Sequence, residues 1–312
     1  MGEIDKLESD IKQFLTKAGA KERRWRAGFT KPIEHISDAW QNCFVQFGPN
    51  ESKDIGTLIY CGIDRGVAEP SHASLLAQKF GLRDVRTFDV SDACMGWFTA
   101  TQVAKNFASE EKPYCVIVSA EFPLEFPGKL YPQSFTIRDD DDLSWKGAAM
   151  TLGEAASVTI IDARITNSAQ CNFKSNSRWA DICYAPLLRA DRFVDSARLV
   201  PKLIDDCFVA HMPTMASASY RDAKEVLTRY ISENGIPTLV LPHLISQTGP
   251  LHASKSLLKE GALRNCFEYF GNLATSSIPV GYEYFACEND KAAHLVGWIS
   301  AAGMSHSAFR IW

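Results

Sequence analysis

Thr87-Phe-Asp-Val-Ser-Asp-Ala-Cys94-Met-Gly-Trp-Phe-Thr-Ala-Thr-Gln-Val-Ala104 reads as a short apolar β run, a corner of small residues, and a helical pattern starting at the cysteine. A corner of that kind puts one thiol near a helix N-terminus. Free amides and the helix dipole there favour a thiolate, so the context suits a nucleophile. The competing reading is a buried packing cysteine, and it suits the other cysteines.

Strand and helix patterns alternate on either side of this corner. Residues 5 to 17 repeat Leu7, Ile11, Phe14 and Leu15 at helical spacing, and residues 34 to 46 look helical again. Thr57-Leu-Ile-Tyr-Cys61 reads as a buried strand, Ser71 to Phe80 as a helix, and Pro113 to Ser119 as the next strand. Ala148 to Ile161 reads as a tight turn leading into a strand. The alternation argues a mixed α/β sheet under helical cover. Residues 165 to 195 carry no clear pattern. Helices are expected from about Leu199 to Met212, from Ala216 to Glu233 and from Leu251 to Lys259. Thr238 to Leu241 reads as a strand ending at Pro242-His243. A strand from Ala293, a small-residue turn at Ser300 to Gly303 and a final strand close the pattern. The two halves, residues 1–164 and 165–312, therefore rhyme. Each has a strand, a reactive-looking residue at its carboxyl end, a helix and a closing strand–turn–strand. Ligands in such folds gather at the carboxyl ends of strands.

The totals narrow the function classes. The 312 residues are 46% hydrophobic and 22% charged, as in ordinary globular proteins. The formal charge of -4 gives no support for a nucleic-acid footprint. No apolar run approaches a membrane span, and the polar start is no secretory signal. The nine cysteines then read as reduced thiols of a cytoplasmic protein. None forms a zinc-like or redox-like pair. Asp139 to Asp142 reads as a surface turn, since consecutive carboxylates do not by themselves build a coordination sphere. No metal is expected. The basic cluster Lys21 to Arg26 reads as a solvated face, or as a phosphate holder at a pocket mouth.

Cys94, His243 and Asn272 stand in contexts that resemble the β-ketoacyl synthase III branch of the thiolase superfamily. That family has Asp-x-x-x-x-Cys-x-Gly-Phe at its nucleophile, and this chain has Asp89-Val-Ser-Asp-Ala-Cys94-Met-Gly-Trp97. Its Val-Pro-His-Gln-Ala-Asn is answered by Leu241-Pro-His243-Leu-Ile-Ser246. Its Gly-Asn-Thr-Ser-Ala-Ala-Ser-Val-Pro is answered by Gly271-Asn272-Leu-Ala-Thr-Ser-Ser-Ile-Pro279. Its Phe-Gly-Asp-Gly-Ala-Gly turn is answered by Leu152-Gly153-Glu-Ala-Ala-Ser157. Order and spacing fit from about residue 8 onward.

The resemblance implies a thiolase-like fold: two similar α/β halves in a five-layer αβαβα core, assembled as a homodimer or with a related partner chain. It implies decarboxylative Claisen condensation through an acyl-Cys94 intermediate. The alternatives are acyl transfer to a hydroxyl or amine, and a non-catalytic partner subunit. His243 and Asn272 would hold the enolate. The amides of Cys94 and of the Ala301 to Met304 turn, Gly303 in particular, would form the oxyanion hole. Lys146, Arg23 and Arg24 would contact coenzyme A, and Glu69 and Trp97 would shape the acyl pocket. Acyl-CoA or a malonyl thioester would be substrate, with no permanently bound cofactor. An acyl carrier protein is the other donor, although Thr248 replaces a basic docking residue. The family's opening apolar strand has no counterpart before residues 5 to 17, so either another segment fills its slot or the first half is shortened.

Overall fold

Runs of β-branched and apolar residues build two four-stranded sheets and a two-stranded one, Cys183–Tyr184 with Val209–Ala210, among the described residues. The computed structural model describes residues 3–26, 30–47, 51–63, 65–123, 132–164, 170–186, 207–285 and 294–311. The first half contains α1 (Glu3–Ala18), α2 (Pro32–Phe47), β1 (Ile55–Tyr60), α3 (His72–Lys79), β2 (Arg86–Asp89), α4 (Gly96–Ala104), β3 (Tyr114–Glu121), α5 (Asp140–Lys146) and β4 (Ala155–Asp162). Then follow β5 (Cys171–Ser175), β6 (Cys183–Tyr184), β7 (Val209–Ala210), α6 (Met212–Asn234), β8 (Leu239–Pro242), α7 (Thr248–Ser254), α8 (Ser277–Phe285), β9 (Leu295–Ala301) and β10 (Ser305–Arg310).

The first sheet has the order β2-β1-β3-β4, and the second β5-β10-β9-β8. β1 pairs parallel with both β2 and β3, while β3 and β4 run antiparallel. In the second sheet β8 and β9 run parallel, and β10 is antiparallel to both β9 and β5. The core divides accordingly. Ile36 of α2 and Ala73 and Leu76 of α3 pack on the outer face of the first sheet, against Leu58, Val116 and Val118. Val226, Leu227 and Tyr230 of α6 cover Val240, Val296 and Trp298 of the second. Between the sheets, Trp97, Phe98 and Ala100 of α4 and Ile278 of α8 join residues from both, including Ile117, Leu241, Leu295 and Phe309. The layers are thus helix, sheet, helix, sheet, helix. Phe98 stacks on Phe309 with ring centroids 4.0 Å apart, a contact worth about 1 kcal/mol beyond its area burial.

Several expectations shift. The helix after the nucleophile begins at Gly96, two residues beyond Cys94. A helix from Leu199 to Met212 does not form over its described part: Val209–Ala210 is a strand, and α6 starts at Met212. Residues 199–206 and Cys287 lie outside the described residues. The acidic run is a helix start. Asp139 Oδ1 accepts the Asp142 amide at 2.8 Å, and Asp140 to Asp142 occupy the first turn of α5, where the dipole favours negative charge. Among the described residues no cluster of three or more His, Cys, Asp or Glu could hold a metal ion. No described helix is long and apolar enough to cross a membrane.

Two glycines let the halves close on one another. A Cβ at Gly153 would lie 1.9 Å from the Phe270 carbonyl oxygen, and one at Gly271 (φ +78°) would lie 2.5 Å from that of Thr151. Both obstacles are backbone. We expect Gly153→Ala and Gly271→Ala each to cost about 3 kcal/mol, read from the urea midpoint. Gly81→Ala is the control: it shares a positive φ but faces open space, so it should cost only about 1–2 kcal/mol.

Candidate active site

Cys94, His243 and Asn272 line one cavity of about 330 Å³ between the two halves. Cys94 and His243 lie beyond the carboxyl ends of β2 and β8, and Asn272 follows the short helix Phe267–Phe270 through Gly271. Asp89, at the end of β2, accepts the amides of His72 and Ala73 at 2.9 and 3.0 Å, tying the strand end to the start of α3. The chain then turns through Ala93, which adopts a left-handed φ of +45°, into Cys94. That conformation costs an alanine about 1–2 kcal/mol, and it throws the next side chain out of the strand direction. Ala274 and Met304, at the two other turns beside the cavity, also have positive φ.

The backbone amides of Ala302 and of Cys94 itself favour the charged form of the Cys94 thiol. Burial outweighs them and pushes the thiol well above its ordinary pKa, with Cys183 and Glu121 adding to the rise. The resting thiol is therefore neutral, against the thiolate expected from its place near a helix. The second amide at the sulfur belongs to Ala302, the first residue after β9. Gly303, one position on, has φ +81° and does not line the cavity.

His243 follows β8 and is buried, its amide donating to the Trp298 carbonyl at 2.8 Å. Its Nδ1 lies 2.8 Å from Ser277 Oγ, and Nε2 has no partner among the described residues. When the Ser277 hydroxyl donates to Nδ1, the ring proton sits on Nε2. Burial pulls the imidazole down to about 4, so the ring stays neutral near pH 7. Asn272 is fixed by three bonds. Its amide donates to the Thr151 carbonyl at 2.7 Å, its carbonyl accepts from Gly153 at 2.9 Å, and its Oδ1 accepts the Ala274 amide at 2.9 Å. The side-chain NH2 is left as the uncommitted end. The cavity thus presents a thiol, two amides beside it, and two neutral N–H donors.

Other expected contacts do not reach this cavity. Trp97 is buried in the central layer and donates to Thr159 Oγ1 at 3.0 Å. Glu69 is exposed on the loop before α3. Lys146 is fully buried, its ammonium 3.1 Å from Asp142 one helical turn earlier. Arg23 donates to the Met150 carbonyl and lies over the Trp25 ring, and Arg24 faces Glu22 and the Phe270 ring. None of these three cations lines the cavity. The local ion pair and the carbonyl hold Lys146 and Arg23 inside the first half.

Sequence reasoning missed Arg65, Ser277 and Glu121. Arg65 lines the cavity and donates to the Val90 carbonyl at 3.1 Å. Glu121, at the end of β3, accepts the amides of Ile63 at 3.1 Å and Thr275 at 3.3 Å, and the Thr275 hydroxyl. Ser119 meets both Thr275 and Ser276 at 2.7 Å. The Ser277 signal was present, because the residue stands inside the asparagine motif.

Solved structures place this architecture. Crystal structures of OleA from Xanthomonas campestris superpose with a TM-score of 0.75 at 16% identity, over 99% of this chain and 92% of that one. An OleA structure with bound lauric acid and lauroyl-CoA gives the same TM-score and identity, over 99% of this chain and 94% of that one. The fold is thiolase-like. Among curated sequences, a β-ketoacyl-[acyl-carrier-protein] synthase III of Sulfurimonas denitrificans is 24% identical over 293 residues, 89% of this chain and 82% of its own length. An acyl-CoA:acyl-CoA alkyltransferase of Xanthomonas campestris pv. campestris is 26% identical over 236 residues, 72% and 65% of the two chains. No family model matches the chain.

The buried imidazoles set a pH dependence. His243 and His306 are both pulled down to about 4 by burial, against about 6.5 when unfolded. Their contribution to stability is whole above pH 6.5. It is lost as pH falls toward 4, because the unfolded chain takes up the protons first. Calorimetry should show the unfolding temperature dropping across that window, with a smaller drop in His243→Asn.

Proposed function

We propose that this chain joins two acyl thioesters through a carbon–carbon bond, with Cys94 carrying the first acyl group. The observation that carries this reading is the pair of neutral donors sharing the thiol's cavity: His243, its Nδ1 occupied by Ser277, and Asn272, its Oδ1 occupied by Ala274. In the first half-reaction Cys94 Sγ attacks the thioester carbonyl. The amides of Cys94 and Ala302 take the oxyanion, the carrier C–S bond breaks, and the thiol proton leaves with the carrier thiol. A malonyl-type thioester then loses CO2, and the electron pair becomes an enolate held by His243 Nε2–H and the Asn272 NH2. The enolate carbon attacks the acyl carbonyl and expels Cys94. Loss of CO2 needs no base, which suits a site whose described carboxylates are engaged: Glu121 by Ile63 and Thr275, Asp92 by the Thr99 hydroxyl.

A second reading is supported by the alkyltransferase name of one relative and by the OleA fold. Two acyl-CoA molecules would then condense after loss of an α-proton, without decarboxylation. That route requires a base. OleA structures include variants changed at a glutamate ahead of the altered cysteine, and Glu69 precedes Cys94 here. Because Glu69 is exposed on its own chain, it would serve the cavity of a second copy in a homodimer.

Intact mass after incubation with acyl-CoAs should rise by one acyl group, and Cys94→Ser should form no thioester. Labelled CO2 release from a malonyl thioester should fall by about 10^2 or more in Asn272→Ala, with Cys94 loading retained. Ser277→Ala should impair CO2 release more than loading. Product formed from two acyl-CoAs without malonyl thioester, and abolished by Glu69→Gln, would move the assignment to the second reading. Transfer to a hydroxyl or amine without a new C–C bond would overturn both.

A further inference from the structure

The two sheets follow one plan with one piece missing. In each, a parallel pair (β1 and β3, β8 and β9) is followed by an antiparallel closing strand, β4 or β10. On the far side of β1 lies β2, and Leu263 bridges to Val240 at the matching place on β8. β10 is covered on its outer edge by β5, paired antiparallel over five residues from Ser305–Ser175 to Phe309–Cys171. β4 has no such neighbour among the described strands. Its outer edge instead floors a groove of about 1170 Å³, walled by α2 on one side and α8 on the other.

This groove has the properties of a strand slot. Ala156 to Ile160 run along its floor, presenting on every second residue an N–H and a C=O with no ladder partner among the described residues. The Ser157 hydroxyl also has no partner among the described residues. Val280, Tyr282 and Phe285 line the α8 wall, and Ala39 and Cys43 the α2 wall. The walls carry one exposed carboxylate each, Asp38 and Glu283, and no Lys or Arg is among the described lining residues. His35, the other ionisable group on the α2 wall besides Cys43, meets the Thr30 hydroxyl at 3.2 Å. The remaining facing groups are the Tyr282 and Tyr284 phenols.

We propose that the groove over β4 receives an extended strand from a different polypeptide, antiparallel to β4, with alternating apolar side chains and basic residues at its ends. The argument for the occupant is threefold. β5 on β10 shows the direction and the minimum length. The two carboxylates select positive charge. The helical walls admit a lone strand but not a strand already built into a sheet, and each described strand of four or more residues in a second copy is so built. The donor must therefore hold this segment unpaired before docking, as a tail or loop.

The test uses the full chain and a fluorescein-labelled peptide, acetyl-Lys-Val-Thr-Val-Thr-Val-Thr-Lys-amide. Comparisons are the same peptide with glutamates at its ends, and one with alternate backbone amides methylated. Saturable binding at one peptide per chain is expected, with slowed hydrogen exchange over residues 155–162. Methylated peptide should not bind. The double variant Asp38→Lys, Glu283→Lys should weaken the lysine-ended peptide by about tenfold and admit the glutamate-ended one. Three results would each overturn the proposal: no exchange protection in β4, equal binding of the methylated peptide, or indifference to the charge swap. Protection of β4 in the free protein that grows with protein concentration would assign the groove to a second copy instead.

Discussion

Asn272 belongs to the second half of the chain, yet its backbone is held by the first. Its amide and carbonyl bond to Thr151 and Gly153 in a short parallel bridge. The turn that follows is pinned to β3 by Ser119 and Glu121 through Thr275 and Ser276. This buried polar clasp fixes where the second half meets the first. Asn272 is part of this clasp and shares its cavity with Cys94, so the clasp fixes the backbone of Asn272 beside the thiol's cavity. The clasp also explains why glycine is required at 153 and 271, where two backbones approach too closely for a Cβ.

Arg65 and Asp92 also line the cavity, but the thiol and the imidazole themselves are uncharged. Burial holds the thiol and the imidazole uncharged, and the carboxylate of Glu121 is spent on amides and a hydroxyl. Preorganised N–H dipoles are what such a site offers to a developing negative charge, and they act more strongly where water is excluded. The left-handed alanines at 93 and 274 belong to the same economy of position. Each bends the chain so that the neighbouring functional group faces inward, and packing on both sides keeps the bend in place.

What could be read from the sequence was the periodic part and the motif part. The strands before and after Cys94, and Cys94, His243 and Asn272 as co-lining residues, rest on local patterns that the fold preserves. What could not be read depends on which way a side chain turns. Lys146 is called inward by Asp142 a turn away, and Trp97 by the Thr159 hydroxyl across the sheet. Arg65 enters the cavity from a loop whose spacing carries no signal. The difference between Ala302 and Gly303 is where β9 stops, and strand ends are set by pairing with β10. Residues 165 to 195 gave no pattern because their described strands, β5 and β6, are short and bounded by distant partners.

The order of strands in the second sheet bears on how the molecule comes into being. β10 lies between β5 and β9, and its Phe309 enters the central layer beside Phe98. A nascent chain that has emitted only the residues before Ser305 owns neither a closed second sheet nor a finished central layer. β5 must wait, unpaired, through the synthesis of more than a hundred later residues. Contacts of such long sequence separation form slowly. The first half, whose strands pair among near neighbours in sequence, is then the scaffold on which the second condenses. The cavity takes its lining from Cys61 through to Ala302, so a nascent chain halted before His243 carries Cys94 without His243 and Asn272, which share its cavity in the finished fold.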